Sequence, residues 1–326
     1  MNRSNQYFYM SLLMLCFGFL PIIGEAKRIE LLNGDIYEGA IDNDVRTGIG
    51  LYTWLDGRSY EGQFLNDRMH GFGVYSWPDG KRYEGAFRAD RRHGSGRFDW
   101  PNGDFYEGDF EDGKRHGQGR FKWANKDEYI GEFKSDQRSG RGVFHWASGE
   151  SYEGLFKAGV LDGQGKFSWP DGRFYLGDFE DGKKTGYGVL TWENGNQYQG
   201  QFENDVRSGV GVFYWRDGTV YRGQFESDEV HGYGVKQDPN QELELQYWER
   251  GSLLTTKLIK ANPGCELWLE DMGWMFEGQD CIDGKAHGDG FAVSLNGEKV
   301  IVYGTFIVGK RVAGDILILR LGEPDT

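Results

Sequence analysis

A motif that recurs every 23 residues constrains the fold of this chain more strongly than any other feature of its sequence. Tyr stands at this interval from Tyr37 to Tyr221, in nine successive units without an insertion. With each Tyr counted as position 0, Gly follows at position 2 and Phe at position 4, except that Ile41 replaces Phe in the first unit. A Gly-x-Gly pair occupies positions 11 and 13, and Trp occupies position 17 in eight units. Such a register predicts an array of similar supersecondary units, each packed on its neighbours.

Each unit is predicted to form two short antiparallel strands. Side chains alternate between faces with period two, so Tyr, Gly and Phe of the first strand share one face. Both Gly, the aromatic residue at position 15 and the Trp of the second strand share a face in the same way, and the opposite face is mostly polar. Gly on the packed face leaves room for a neighbour's ring to lie across bare backbone. Asp-Gly and Asn-Gly pairs after the Trp, such as Asp56 and Gly57, predict two-residue loops of type I′.

The sequence Tyr-Glu-Gly-x-Phe, followed by Gly-x-Gly and repeated at this spacing, resembles the MORN repeat family. The resemblance covers nine units, from Tyr37 to about Asp238. It implies an all-β fold, namely an elongated, single-layer, twisted antiparallel sheet of successive β-hairpins with an aromatic groove.

The chain divides into three segments on this basis. After Gly234 the register decays, and weaker copies of the unit begin at Glu244 and Phe276. Atypical terminal repeats of this kind are needed to seal the open end of an array. The predicted segments are a signal peptide at residues 1–26, a MORN array of nine units at residues 27–238, and a degenerate MORN-like β cap at residues 239–326.

Residues 1–26 have the layout of a secretory signal peptide. Arg3 precedes an almost wholly apolar run at residues 7–23, and Gly24 and Ala26 offer the small residues of a cleavage site. We therefore expect an exported protein, periplasmic or extracellular after cleavage near Ala26. The alternative is a retained N-terminal membrane anchor, because the 17 residues of the apolar run are at the short limit for a spanning helix.

The cysteines fit export. Cys16 lies in the leader, and the rest of the chain keeps Cys265 and Cys281 alone. In an oxidising compartment such a pair predicts one disulfide, and two buried free thiols are the alternative. The surrounding segment, residues 264–281, resembles one in exported bacterial MORN proteins, which supports the pairing.

The charge of the chain limits its partners. It carries 51 acidic and 37 basic residues, a formal net charge of -14. Because binding to a phosphate backbone needs an excess of Lys and Arg, nucleic acid is not expected as a partner. Attraction to anionic membranes is weakened as well. Phospholipid binding stays an alternative, because the MORN resemblance favours it.

The aromatic face is the first candidate binding surface. A single sheet cannot cover such an apolar strip except by curling on itself, and exposed strips of this kind usually mark partner surfaces. The alternative is that the rings largely bury one another. The predicted aromatic groove consists of Tyr60, Phe64, Trp77, Tyr83, Phe87, Trp100, Tyr106, Phe110, Trp123, Tyr129, Phe133, Trp146, Tyr152 and Trp169.

A row of basic residues at position 9 is the second candidate surface. These residues are expected at loop tips along one edge of the sheet, where they would contact lipid. Acidic residues at positions 5 to 7 lie beside them, so a solvated, charge-balanced edge is the alternative. The predicted basic row consists of Arg46, Arg92, Arg115, Arg138, Lys184 and Arg207.

Nothing in the sequence predicts catalysis, a metal or another cofactor. His recurs at position 10, as in His70 and His93. Adjacent units are about 9–10 Å apart, however. Ligand atoms at about 2.0–2.1 Å from one zinc ion would nearly touch each other. Histidines of successive units therefore cannot share a metal ion. An enzyme in the cap, at residues 244–321, is the remaining alternative, although its acidic residues, Glu266, Glu270, Asp271 and Glu277, show no interpretable spacing.

The sequence therefore predicts a non-catalytic binding and scaffolding protein of the cell envelope or a secretory lumen. It would present the aromatic groove to a protein partner or to a second copy of itself. Peripheral association with phospholipid through the basic row is the first alternative, and an enzyme in the cap is the second.

Overall fold

The computed structural model describes residues 25–260, 264–307 and 309–319. These residues form strands and turns without a helix, which confirms the predicted all-β class. Accordingly, no helix in this part of the chain is long and apolar enough to cross a membrane. The predicted leader lies almost wholly outside the described residues. The chain separates into two compact units, Met1–Gln137 and Arg138–Thr326.

The first unit contains ten strands, which follow one another as antiparallel hairpins. They are β1 (Glu25–Glu30), β2 (Ile36–Asp42), β3 (Val45–Thr53), β4 (Ser59–Leu65), β5 (Arg68–Ser76), β6 (Arg82–Arg88), β7 (Arg91–Asp99), β8 (Phe105–Glu111), β9 (Lys114–Lys122) and β10 (Glu128–Lys134).

The second unit begins within the next strand and contains seventeen strands. They are β11 (Gln137–His145), β12 (Ser151–Lys157), β13 (Val160–Ser168), β14 (Phe174–Glu180), β15 (Lys183–Thr191), β16 (Gln197–Glu203), β17 (Val206–Tyr214), β18 (Val220–Glu226), β19 (Glu229–Gln237), β20 (Leu243–Glu249), β21 (Ser252–Ile259), β22 (Leu267–Leu269), β23 (Met272–Ile282), β24 (Lys285–Ser294), β25 (Lys299–Ile307), β26 (Lys310–Ala313) and β27 (Leu317–Ile318). Strands β1 to β21 belong to a 21-stranded sheet and β22 to β27 to a six-stranded sheet.

The first strand of each repeat alternates between faces as predicted. In β4, Tyr60, Gly62 and Phe64 are buried, whereas Glu61 and Gln63 are exposed. Tyr60 pairs with Tyr75 and Gly62 with Gly73 of β5, so the aromatic and glycine positions of the two strands stand opposite each other. The 23-residue register therefore sets which side chains face the core.

The type I′ loops lie at the opposite end of each hairpin from the predicted one. Asn43 and Asp44, at positions 6 and 7, have φ angles of 48° and 63°, and Asp42 pairs with Val45 around them. At the Trp end the amide of Gly57 donates to the carbonyl of Trp54 at 2.9 Å, and of the Asp-Gly pair the glycine alone has a positive φ. Because type I′ needs positive φ at both central residues, the prediction for the Asp-Gly and Asn-Gly pairs after the Trp is wrong.

The two glycines of the Gly-x-Gly pair have different roles, which corrects the prediction that they share a face. Gly71 has a φ of 59° and lies in a β-bulge, where the pairing with β4 shifts after Gly62. A Cβ atom at Gly71 would overlap Oε1 of Gln63, on the face opposite to Tyr60. That amide oxygen accepts a hydrogen bond from the amide of Phe72 at 3.0 Å. Position 11 therefore needs glycine for the bulge.

A ladder of buried rings forms the core beneath the repeat. Within each compact unit the ring of a position-0 Tyr, such as Tyr60, crosses the glycines of its own hairpin, and not those of a neighbour as predicted. The hydroxyl of Tyr60 donates to the carbonyl of Gln63 at 2.8 Å, which fixes the ring in place. The ring then meets Phe64 and Phe87 edge-on, with centroids 5.1 and 5.0 Å apart. Such edge-to-face pairs add about 0.5–1.5 kcal/mol each beyond area burial.

The C-terminal part of the second unit contains two buried clusters. One cluster lies within the small sheet and includes Trp274, Phe276 and Phe306. The other joins the two sheets through Val235, Leu243, Leu245, Ile259, Val293, Val300 and Leu319. Cys265 and Cys281 form a disulfide with Cα atoms 5.5 Å apart, as predicted. The long sheet continues past the nine repeats through β20 and β21, where Trp248 meets Tyr221 at 6.4 Å.

Candidate binding surface

In each of the two compact units, the Trp side chains at position 17 of successive repeats form a row along one edge of the aromatic face. We call these residues the Trp row. Within the first unit, Trp77 packs on Tyr75 at 4.3 Å and on Phe98 of the following hairpin at 5.4 Å between ring centroids. Trp100 repeats the arrangement with Phe98 and Phe121, at 4.3 and 5.3 Å. Both of these indoles are therefore held between two rings.

Exposure divides the predicted aromatic groove into a core and a surface. Its Tyr and Phe members are at most 5% exposed, so they support the sheet and offer almost no surface to a partner. These buried members are Tyr60, Phe64, Tyr83, Phe87, Tyr106, Phe110, Tyr129, Phe133 and Tyr152. The half-buried members are Trp77, Trp100, Trp123, Trp146 and Trp169. The accessible part of the predicted groove is therefore the Trp row.

The predicted basic row does not extend into solvent as a line of charged tips. The guanidinium of Arg115 lies over the rings of Tyr106, Phe121 and Phe133, at 5.8, 5.1 and 5.5 Å from their centroids. Its Nε donates a hydrogen bond to Oδ1 of Asp136 at 3.1 Å, and the Arg115 side chain is 24% exposed. Cation, rings and carboxylate form one cluster at the surface of the repeat.

The other members of the basic row are engaged in the same way. Arg46, Lys184 and Arg207 pair with the Asp at position 7 of the next repeat, at 3.0, 3.6 and 3.1 Å. Where Gly replaces that Asp, Arg92 and Arg138 donate to its carbonyl oxygen instead. Burial lowers the pKa of Arg92. These contacts explain the regular spacing of the row within the chain, since each cation links two successive hairpins.

A second set of cations lies at the Trp end of the hairpins, and the predictions made from the sequence did not include it. The guanidinium of Arg58 lies 5.2 Å from the ring centroid of Trp54, and Nε bonds Oδ2 of Asp56 at 2.7 Å. Arg173 covers Trp169 at 5.1 Å with the help of Asp171. The signal was present in the sequence, because both sites read Trp-x-Asp-Gly-Arg.

The described part of the chain does not meet the requirements of a metal centre. No group of three or more His, Cys, Asp or Glu residues there is placed to hold a metal ion. In the predicted cap, Lys299 forms an ion pair with Glu270 at 2.6 Å, and Lys257 forms one with Glu277 at 3.2 Å. Two of the four acidic residues considered for an enzyme site are therefore in ion pairs.

Comparison with known families gives matches across the array. The family model described as MORN repeat matches nine consecutive segments, which together cover well over half of the chain. They are residues 37–57, 60–82, 83–105, 106–128, 129–151, 152–172, 175–197, 198–220 and 221–242. No curated protein that was compared matches the chain.

Solved structures with a similar arrangement include two domains that bind peptides. The TCP10 domain of Danio rerio CPAP, in complex with a peptide of Danio rerio STIL, is 13% identical, with 72% of this chain and 99% of that chain covered and a TM-score of 0.32. The SAS-4 TCP domain of Drosophila melanogaster, in complex with a proline-rich motif of Ana2, is 11% identical, with coverages of 72% and 97% and a TM-score of 0.22.

Proposed function

The chain belongs to the MORN repeat family, and we propose on this basis that it is a non-catalytic binding and scaffolding protein. The Trp row presents its surface to a protein partner. The observation that carries this proposal is the division of the aromatic face into buried Tyr and Phe rings and half-buried Trp rings. A row of partly exposed aromatic rings is the kind of surface that protein partners cover.

Rigidity supports this assignment. Trp77, Trp100 and Trp146 are each held between two rings. The position-0 Tyr residues up to Tyr198 each donate a hydrogen bond to their own strand, such as that from Tyr83 to the carbonyl of Ala86 at 3.0 Å. A surface that is ordered before binding loses little conformational entropy when a partner arrives. Adjacent repeats are two strands, about 9–10 Å, apart, so an extended polypeptide would meet one ring about every third residue.

Phospholipid binding through the basic row has less support from the geometry. Arg46, Arg115 and Arg207 would have to leave carboxylate partners and aromatic rings in order to contact a phosphate. Co-flotation with neutral and anionic liposomes, at low and high salt, tests this alternative. Binding to anionic liposomes that is lost at high salt would favour it over the protein partner.

Export is part of the proposal. Residues 1–26 carry the predicted signal peptide, and the paired cysteines fit an oxidising compartment. N-terminal sequencing of the protein from its native cells checks the expected cleavage. A chain that begins at Lys27 agrees with export, whereas an intact leader in the membrane fraction favours the anchor.

Site-specific photocrosslinking tests the partner surface directly. A photoreactive residue at Pro78 or Ala124, next to the Trp row, is expected to give a discrete crosslinked protein in native cells. The same residue at Glu84, on the opposite face, serves as the matched control. Crosslinks from Glu84 alone would contradict the proposed surface.

A further inference from the structure

The Trp row differs from repeat to repeat in one respect, namely whether the chain covers the indole with its own cation. At Trp54 and Trp169 the residue at position 21 is Arg, and the Asp at position 19 holds its guanidinium over the ring. Arg173 reaches Trp169 at 5.1 Å, with Asp171 as its ion-pair partner at 2.6 Å. The chain therefore shows, in two places, that this indole surface accepts a guanidinium.

Trp146 has the same surroundings without the cation. Its centroid lies 4.4 Å from Phe144 and 5.3 Å from Phe167, compared with 4.6 and 5.1 Å for the two ring neighbours of Trp54. No Lys or Arg of the described residues lies over the Trp146 ring. Positions 19 and 21 hold Ser148 and Glu150, so a carboxylate stands where the neighbouring repeat carries Arg173.

At position 21, other acceptor side chains bind the backbone amide of the following loop, but Glu150 has no such amide to bind. Asp104 and Asn196 accept the amide of the next loop, from Ala124 at 2.8 Å and Arg216 at 3.1 Å. After Glu150 the corresponding residue is Pro170, which has no amide hydrogen to donate. The contact shown for the carboxylate is the hydroxyl of Ser148, which donates to Oε2. The carboxylate therefore keeps acceptor capacity for a charged donor from outside.

We propose that Trp146 and Glu150 form a seat for a guanidinium or ammonium side chain supplied by a partner polypeptide. This inference rests on the proposed function and names the chemistry of its partner, a basic extended segment. The cation lies over the indole and donates to Glu150, as Arg173 lies over Trp169 and bonds Asp171. The net charge of -14 favours a basic partner over an acidic one. Arg is preferred to Lys, because its planar guanidinium can stack on the indole while its N–H groups donate hydrogen bonds to the carboxylate in the plane of the guanidinium.

Nuclear magnetic resonance of the full mature chain with labelled Trp detects such weak binding ring by ring. The probes are the peptide Gly-Ser-Arg-Gly-Ser and the same peptide with neutral citrulline in place of Arg. We expect the Arg peptide to shift the indole signal of Trp146, assigned with Trp146→Phe, and the citrulline peptide to bind at least two- to fivefold more weakly. Glu150→Gln is expected to weaken binding of the Arg peptide by a similar factor.

A double variant that copies the neighbouring repeat closes the seat without disturbing the fold. Ser148→Asp with Glu150→Arg recreates the Asp-Gly-Arg sequence of residues 171–173 and should abolish the Trp146 shift. The reciprocal pair, Asp56→Ser with Arg58→Glu, should make Trp54 respond to the Arg peptide. Equal binding of the citrulline peptide, or an unchanged shift in the closed variant, would overturn the cation seat.

Two further outcomes separate the seat from its alternatives. A Trp146 shift with phosphocholine that exceeds the shift with the Arg peptide would overturn the peptide assignment in favour of a lipid headgroup. If neither probe shifts Trp146 while photocrosslinks still form at Pro78 or Ala124, the seat fails and the proposed function stands. If the crosslinks fail as well, both fail together.

Discussion

The ring of Tyr60 lies so close to Gly73 that a Cβ atom on this glycine would stand 2.5 Å from Cε2 and 2.6 Å from the hydroxyl oxygen. Gly73 is the cross-strand partner of Gly62, so the ring lies across two bare backbones at once. This packing recurs along the repeats and holds the Trp row on a stiff support. Stability of the array therefore depends on glycine at position 13 as much as on the tyrosine.

Gly73→Ala is expected to lower the free energy of unfolding by about 3 kcal/mol, because the buried ring has no room to move away. The comparison is Gly113→Ala, where φ is 86° and nothing lies within 4 Å of an added Cβ atom. That change should cost about 1 kcal/mol, from backbone strain alone. Chemical denaturation measures both values, and equal losses would contradict the packing role.

Lys126 occupies the loop position that holds Gly in the neighbouring repeats, with a φ of 79°. Its amide still donates to the carbonyl of Trp123 at 2.9 Å, as Gly103 does to Trp100 at 3.0 Å. Lys126→Gly should therefore raise the free energy of unfolding by about 0.5–1 kcal/mol through relief of strain. Lys134→Gly, in a strand, should lower it by a similar amount. A loss of stability in both variants would argue against strain at Lys126.

Arg115 is expected to act as a structural clamp. Arg115→Met removes its cation–π contacts and its bond to Asp136, and should cost about 1–2 kcal/mol of unfolding free energy. Arg91 is the matched control, because its contact with Asp112 is 3.7 Å long and both side chains are at least 60% exposed. Arg91→Met should change stability by less than about 0.5 kcal/mol. Thermal unfolding distinguishes the two variants, and equal effects would favour a solvated basic edge.

Alkaline pH is expected to unfold the array through its buried tyrosines. Burial raises the pKa of Tyr37 and of Tyr152 to about 12, above the ordinary value of 10.0. A raised pKa in the folded state means that the stabilisation is complete below about pH 10 and is lost as the pH rises towards 12. Burial also raises the pKa of Tyr60, Tyr83, Tyr106, Tyr175, Tyr198 and Tyr221.

Ultraviolet absorbance of the phenolate follows this transition. Most tyrosines of the folded protein should ionise cooperatively with the loss of the β-sheet circular dichroism signal, and the denatured chain should titrate near pH 10. Independent ionisation of the tyrosines near pH 10 in the folded protein would contradict their burial.

Much of the fold follows from the 23-residue register alone. The register predicts the strands and the face shared by Tyr60, Gly62 and Phe64. It also predicts that rings lie on glycines, although those glycines belong to the ring's own hairpin and not to a neighbouring one. The disulfide between Cys265 and Cys281 follows from the predicted export to an oxidising compartment and from the presence of just two cysteines outside the predicted leader. These features depend on local periodicity, which the sequence displays directly.

Three features depend on geometry that the register does not display. The type I′ loops lie at positions such as Asn43 and Asp44, because short polar residues tolerate positive φ without an Asp-Gly signal. The bulge at Gly71 removes this glycine from the aromatic face. Arg115 turns inward over the rings, since neighbouring hairpins bring three rings and a carboxylate to one point. Spacing along the chain alone does not predict that convergence.

Quantitative capture of partners from extracts of the native cells tests the central claim, that the Trp row is the binding surface. The proteins compared are the wild type, the double variant Trp77→Leu and Trp100→Leu, and a control on the opposite face with Glu61→Gln and Glu84→Gln. Leu keeps apolar contact with the flanking rings but removes the aromatic surface, and the melting temperatures of all three establish that they are folded. We predict that the partner captured by the wild type is lost from the Trp variant and retained by the control. Retention by the folded Trp variant, with loss from the control, would contradict this claim.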